Sequence, residues 1–258
     1  MRGSPLTFPE QRSTIADLAG APLQTWRIQV IDKVVASPGA AVADIKHGAT
    51  LMVGGFGTAG MPAELLAALI DQGARDLTIV SNNAGNGNTG LAALLQARRV
   101  RKIICSFPRQ ADSYVFDGLY RAKDIELELV PQGNLVARIQ AAGSGFGAFY
   151  TPTGYGTLLT EGKETREIDG RHYVLEYPLH ADVALIGALR GDRWGNLVYR
   201  KTARNFGPIM AAAARCTIAQ VSEVVELGGL DPETVVTPGI FVHRLVQVAD
   251  SSVRTTNG

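Results

Sequence analysis

The sequence predicts an α/β fold, a mostly parallel sheet flanked by helices. Apolar runs, polar glycine-rich loops and amphipathic segments follow one another in that order, about 25 to 30 residues per unit, as in the strand–loop–helix units of a parallel sheet. One junction is sharply drawn: Leu51-Met52-Val53 runs into Gly54-Gly55-Phe56-Gly57-Thr58-Ala59-Gly60, and a helical pattern begins at Met61-Pro62. At 258 residues the chain suffices for one large domain of this class or two small ones.

The elements follow in order. A short helix ends over Ala43-Asp44-Ile45-Lys46, and His47-Gly48 turns into a strand at 50–53. Residues 62–72 carry Leu65, Leu66, Leu69 and Ile70 at helical spacing, and Gly73 closes that helix. A strand at 77–80 leads into the polar loop 81–88, then a helix at 91–97 and a strand at 100–106. A helix at 113–119 and an alternating strand at 125–130 come next, and Pro131-Gln132-Gly133 turns into a helix at 135–142. Residues 143–157 read as a long aromatic and glycine-rich loop, and loops of that length are commonly functional. Residues 167–176 form a hairpin with an Asp169-Gly170 turn. A buried strand at 183–186, a turn at 192–196, a strand at 197–200, a helix at 208–215 and a strand-like run at 217–223 complete the series. Residues 1–32 lack periodicity and read as a poorly ordered extension without the pattern of a secretory signal. Residues 33–250 form the expected single domain, and 251–258 a frayed tail.

Composition narrows the function classes. A net charge of +1 offers no electrostatic case for nucleic acid or an anionic membrane surface. No apolar stretch approaches the roughly 20 residues of a membrane helix. Cys105 and Cys216 stand singly in apolar surroundings and are expected to be buried free thiols in a reducing cytoplasm. His47, His172, His180 and His243 are scattered without metal-ligand spacing, so neither a metal nor a cofactor is expected.

In open α/β sheets ligands bind beyond the carboxyl ends of the strands, and three polar segments stand there: 54–60, 81–88 and 131–134. Glycines in the first let a ligand approach the backbone, and the helix behind it is expected to favour an anionic or carbonyl oxygen. Gly55 to Gly60 nearly matches a dinucleotide fingerprint, but no acidic residue ends the 77–80 strand to hold a ribose. Asn82 and Gln132 become candidate polar contacts in one crevice, where a side-chain amide stabilises a developing oxyanion; the competing reading is that they cap turns or helices. Arg109, just after a strand, either pairs with a substrate carboxylate or forms a surface salt bridge. The cluster Arg98-Arg99-Val100-Arg101-Lys102 reads as a solvated helix end. No G-x-S-x-G elbow or Cys–His pair supplies a nucleophile, and Glu64, Glu161, Glu164, Glu167, Glu176, Glu223 and Glu226 are expected on exposed faces or turns.

These residues carry a family resemblance. The run 48–62, with its apolar triplet, Gly54-Gly55-Phe56, Gly60 and Pro62, resembles the signature of family I CoA-transferases, in the α chain that lacks the nucleophile. His47 stands where that pattern usually has Asp or Asn. Ser81-Asn82-Asn83-Ala84-Gly85, Pro131-Gln132-Gly133, residues 149–157 and Ala203-Arg204-Asn205-Phe206 match in order, so the resemblance spans about 32–248. Residues 105–117 and 239–244 are most similar to members that use 3-oxoadipate as acceptor. The resemblance implies an open α/β fold of the CoA-transferase kind and a covalent route. A glutamate attacks succinyl-CoA to form a mixed anhydride and release CoA thiolate, the thiolate returns to give a glutamyl-CoA thioester as succinate leaves, and 3-oxoadipate takes the CoA by the same steps in reverse. The family's glutamate motif is missing here, so a partner CoA-transferase β subunit must supply it, in a heterodimer or an α2β2 heterotetramer. The resemblance gives Asn82 the oxyanion, Gln132 the reacting carboxylate or thioester, and the loop Gly54, Gly55, Phe56, Gly57, Thr58, Ala59, Gly60 the pocket lining, with Phe56 as an apolar wall. Arg109 is the candidate for the distal carboxylate of the six-carbon acid. Transfer to acetoacetate or a short-chain acid is the alternative within enzymes, and an effector-binding module without catalysis the alternative outside them.

Overall fold

The computed structural model describes residues 30–249. The expected tail lies outside the described residues, as does all of the expected extension except residues 30–32. Helices α1 (Pro38–Val42), α2 (Ala63–Gln72), α3 (Gly90–Gln96), α4 (Tyr114–Arg121), α5 (Gln132–Gly143) and α6 (Gly207–Ala213) surround the main sheet. Its strands are β1 (Thr50–Val53), β2 (Leu77–Val80), β3 (Val100–Cys105), β4 (Glu126–Leu129), β8 (Ala181–Asp192), β9 (Leu197–Val198), β10 (Ala214–Val225) and β11 (Arg244–Gln247). The order is β11-β10-β8-β1-β2-β3-β4, all parallel, with β9 antiparallel on β8. A second, antiparallel sheet has the order β5-β7-β6, from β5 (Phe149–Thr151), β6 (Thr165–Ile168) and β7 (Arg171–Glu176). The expected fold class is therefore present.

Side-chain alternation along the strands makes two cores. Leu51 and Val53 of β1 point to one face with Leu77, Ile79 and Ile103, where Leu65, Leu66 and Leu69 of α2, Leu91 and Leu94 of α3 and Phe116 of α4 cover them. Met52, Val80 and Ile104 point to the other face, under Leu135 and Ile139 of α5 and Met210 of α6. Each fully buried leucine contributes about 1.5–3 kcal/mol, so the sheet is fixed from both sides. Gly73 ends α2 with φ +92° and donates its N–H to Leu69. Asp169 and Gly170 both take positive φ, as the hairpin turn between β6 and β7 requires.

The structure corrects several sequence expectations. Helix α1 ends at Val42, before the 43–46 segment expected to finish it. Helix α5 begins at Gln132 and not at residue 135, since Pro131 suits the position before a first turn. Strand β5 lies inside the expected 143–157 loop and pairs with β7. Strands β8 and β10 run 12 residues each, well beyond 183–186 and 217–223. Their small and polar second halves, such as Gly187-Ala188, hold a strand because they pair with each other. The strand expected at 197–200 stops at Val198, and the four-residue β11 was not expected. Cys105 is buried, but Cys216 is only half-buried.

Candidate functional site

Because β1, β2, β3 and β4 are parallel, the segments that follow them emerge at one edge of the sheet. Asn82, just past β2, is 2% exposed. Its Oδ1 accepts hydrogen bonds from Gln132 Nε2 at 2.7 Å and from Ser106 Oγ at 2.8 Å. The backbone N–H groups of Ser106 and Phe107 donate to the Asn82 carbonyl at 3.2 and 3.0 Å. Two donors occupy the amide oxygen, which fixes the rotation of the amide. Its Nδ2 has no hydrogen-bond partner among the described residues, so the donor end of the pinned amide is unoccupied.

The competing reading of Asn82 and Gln132 as caps does not describe their side chains. Neither acts as a cap: α5 has no side-chain cap, and the Gln132 side chain turns to Asn82 instead. The turn residue of this loop is Asn83, whose Oδ1 accepts from Gly85 N at 2.9 Å. Asn83 Nδ2 is buried without a hydrogen-bond partner among the described residues.

The glycine loop is a miniature hairpin. Phe56 N donates to Ala59 O at 3.0 Å and Ala59 N returns to Phe56 O at 3.2 Å, with Gly57 at φ +61° between them. Phe56 stands half-exposed at its tip, Gly57 and Thr58 follow, and Gly54 donates to Leu185 O of β8 at 2.9 Å. Gly60, at φ +75°, lies so close to the Ala203 carbonyl that a Cβ would overlap it. A Cβ on Gly187 of β8 would come within 2.9 Å of Gly60 O, and Asn205 Nδ2 donates to Ala59 O at 2.9 Å. The glycines at 60 and 187 are thus used for backbone packing. The expectation that the start of α2 attracts a ligand oxygen is corrected. Its free N–H groups are occupied, Ala63 N by Met61 O, Glu64 N and Leu65 N by Gln220 Oε1 at 3.1 Å each, and Leu66 N by Pro62 O.

Arg109 sits past β3 at the same edge, but its Nε is paired with Asp117 Oδ1 at 2.7 Å and makes no contact with Asn82 or Gln132. That is the salt bridge named above as its second reading. The cluster expected as a solvated helix end is mostly the start of a strand: Arg98 follows α3 and pairs with Asp124, Arg99 donates to Ile70 O and Gly73 O at the end of α2, and Arg101 and Lys102 belong to β3 and pair with Glu126 and Glu128 of β4. Burial disfavours the thiolate of Cys105, next to Ser106, and pushes its thiol up to about 12 against a backbone hydrogen bond from Phe107.

One carboxylate departs from the sequence expectation. Glu176 is 3% exposed, not on an open face. Lys163 Nζ lies 2.7 Å from its Oε1 and Asn134 Nδ2 3.3 Å, with Arg138 Nε 3.9 Å from Oε2. Asn134 and Arg138 belong to α5, so the cluster ties the small sheet to the helix that begins with Gln132. The other six glutamates are at least partly exposed. Sequence reasoning missed Ser106, whose signal was a hydroxyl placed directly after an apolar run. It also missed Glu176, which the two-residue period of β7 sets on the same face as buried Val174. Among the described residues no group of three or more His, Cys, Asp or Glu could hold a metal ion. None of the described helices is long and apolar enough to cross a membrane.

Comparison with known proteins shows what the chain is similar to. The Coenzyme A transferase family profile matches residues 35–248. The α chain of 3-oxoadipate CoA-transferase from Pseudomonas putida is 71% identical over 223 residues, 86% of this chain and 96% of that one. The α chain of succinyl-CoA:3-ketoacid coenzyme A transferase from Xanthomonas campestris pv. campestris is 54% identical over 202 residues, 78% of this chain and 83% of that one. Among solved structures, glutaconate coenzyme A-transferase from Acidaminococcus fermentans superposes with a TM-score of 0.74 over 84% of this chain and 76% of its own, at 20% identity, a likeness of fold.

Proposed function

Since this chain belongs to the Coenzyme A transferase family, we propose that it is the α subunit of an enzyme that moves CoA from succinyl-CoA to 3-oxoadipate, a step in the breakdown of aromatic compounds. The observation that carries the reading is the pinned amide pair of Asn82 and Gln132, in a chain 71% identical to the α chain of a 3-oxoadipate CoA-transferase. The relatives are named as one of two kinds of chain, which supports a partner β subunit. In this proposal the partner brings the glutamate that forms the anhydride and the glutamyl-CoA thioester, and the two chains act as a cytoplasmic α2β2 assembly without a metal or further cofactor.

This chain supplies the receiving half of the site. Asn82 Nδ2 donates to the oxygen that becomes negative as the thioester or anhydride carbonyl is attacked, and needs no reorganisation because Ser106 and Gln132 already hold the amide. Gln132 lies beside the reacting carboxylate, and Gly54, Gly55, Phe56, Gly57, Thr58, Ala59 and Gly60 line the pocket with Phe56 as its apolar wall. Arg109 is proposed to reach the distal carboxylate with the terminal nitrogens that Asp117 leaves free.

The test is CoA transfer from succinyl-CoA to 3-oxoadipate and, in parallel, to acetoacetate, by this chain alone and with its genomic neighbour. Activity confined to the mixture, with 3-oxoadipate preferred, is expected. Activity of the lone chain would move the nucleophile into this chain and overturn the division of labour. For Arg109→Ala, an unchanged preference between the two acids would remove Arg109 from the site.

A further inference from the structure

The main sheet reverses its strand order between β1 and β8: β2, β3 and β4 add on one side, β8, β10 and β11 on the other. Ligands of open parallel sheets gather at such a reversal, beyond the carboxyl ends of the strands. A cavity of ≈ 360 Å³ lies there, between the glycine hairpin and the segment that follows β9. Its lining includes Thr58 and Gly60, Gly187 of β8, Ser222 of β10, and Arg200 and Lys201. Among the described residues no aspartate or glutamate lines it.

Two cations line this cavity with no carboxylate facing them among the described residues, whereas Arg98, Arg101, Lys102, Arg109, Arg138, Lys163 and Arg244 each face one. Arg200 and Lys201 are exposed and have no ion pair or side-chain hydrogen bond among the described residues. Lys201 also holds φ +49°, a conformation uncommon for a residue with a Cβ, at the start of the 3-10 turn Lys201–Arg204. The walls are preformed by the Gly60–Ala203 and Gly60–Gly187 backbone contacts and the Asn205–Ala59 hydrogen bond. Two cations beside hydroxyl groups, with no acidic neighbour, form a receptor for an oxyanion.

We propose that this cavity binds an oxyanion of the substrate pair through Arg200 and Lys201, an inference that rests on the transferase reading above. Two sources share that chemistry: a phosphate of the CoA donor and the second carboxylate of a dicarboxylic acid. Strand β8 lies two strand spacings, roughly 10 Å, from β2 and Asn82. Both sources stand away from the reacting carbonyl: a CoA phosphate lies at the far end of the pantetheine arm from the thioester, and the second carboxylate at the far end of the six-carbon acid.

The experiment uses the complex of both chains with Arg200→Gln and Lys201→Asn, since Asn accepts positive φ. The donor arm compares succinyl-CoA with succinyl-pantetheine, which has no phosphate. The acceptor arm compares 3-oxoadipate with acetoacetate, which has no second carboxylate. Loss of a charge-assisted contact raises KM roughly ten- to hundredfold for the substrate that carries the group. A rise for succinyl-CoA but not for succinyl-pantetheine identifies the phosphate, and a rise for 3-oxoadipate but not for acetoacetate the carboxylate, which the succinyl group of both donors also carries. Unchanged KM in both arms, or an equal loss with all four substrates, overturns the proposal. Calorimetric titration with adenosine 3′,5′-bisphosphate and with succinate separates this inference from the one beneath it. Anion binding that the substitutions abolish, in a complex that transfers CoA to neither acid, would keep the site and discard the transferase reading.

Discussion

On one side of β1, strands β2, β3 and β4 are four to six residues long and stop where polar side chains take over. On the other side β8 and β10 run 12 residues each, paired from Ala181 to Asp192, and extend past the same edge. The short-strand arm forms its part of the site from side chains: Asn82, Ser106 and Gln132 in one network. The long-strand arm forms its part from missing side chains, with Gly60 and Gly187 letting two backbones meet. The difference teaches that chemistry and shape are separable here. A substitution in the Asn82 network is expected to cost turnover, and one at the Gly60–Gly187 backbone contact to cost the fold.

The sharpest way to break that separation is Asn82→Ala. Removing a preorganised oxyanion donor is expected to lower kcat by about 10²–10³ in the two-chain enzyme. Stability should fall by only about 1 kcal/mol, as Ser106 and Gln132 lose one acceptor. Thermal unfolding beside steady-state kinetics reads both, and a collapse in melting temperature would make Asn82 a structural residue. In the opposite arm, Gly60→Ala is expected to destabilise by about 3 kcal/mol, because a Cβ would overlap Ala203 O at a positive φ. Gly57 has a similar φ, +61°, but open space around it, so Gly57→Ala is expected to cost about 1 kcal/mol. Equal costs in urea titrations would show that φ alone, and not close packing, requires glycine at 60.

The same contrast explains what was legible in the sequence. The short strands could be placed within a residue or two because each is a compact apolar run with a turn behind it, as at Leu77–Val80. Asn82 and Gln132 could be named because they stand directly behind such runs, yet their 2.7 Å contact could not, since the two are 50 positions apart and meet only through strand order. The second halves of β8 and β10 were hidden because Gly187 and Ala188 have weak strand preference and depend on the partner strand. The glycine loop looked like a ligand cradle, but part of its glycine content answers to Ala203 and Gly187, which no local pattern reveals. The cap on α2 was equally non-local, since Gln220 comes from β10.

A smaller effect tests how the short-strand arm is secured beyond the site. Lys163→Met leaves the buried Glu176 carboxylate with only Asn134 and the more distant Arg138. The expected loss is about 2 kcal/mol in chemical denaturation, with Glu176→Gln in the Lys163→Met background restoring part of it. Full stability in Lys163→Met alone would mean that the small sheet is held to α5 by apolar packing.

The smallest effect lies at the edge strand β4, where charged side chains guard an unpaired backbone. Burial raises the Glu128 carboxyl, but hydrogen bonds from Lys102 and Arg138 lower it more, so its pKa falls below the ordinary range. The folded state therefore holds that proton less tightly than the unfolded chain does. Its stabilisation is complete above the ordinary glutamate pKa of about 4.3 and is lost as pH falls through the lowered folded value. The stability gap between the natural chain and Glu128→Gln should accordingly be widest near neutral pH and close as the solution is acidified below about pH 4. Urea titrations of both chains at several pH values measure that gap. A gap that stayed constant would show that Glu128 contributes through packing along β4, and that the short-strand arm does not depend on charge at its outer edge.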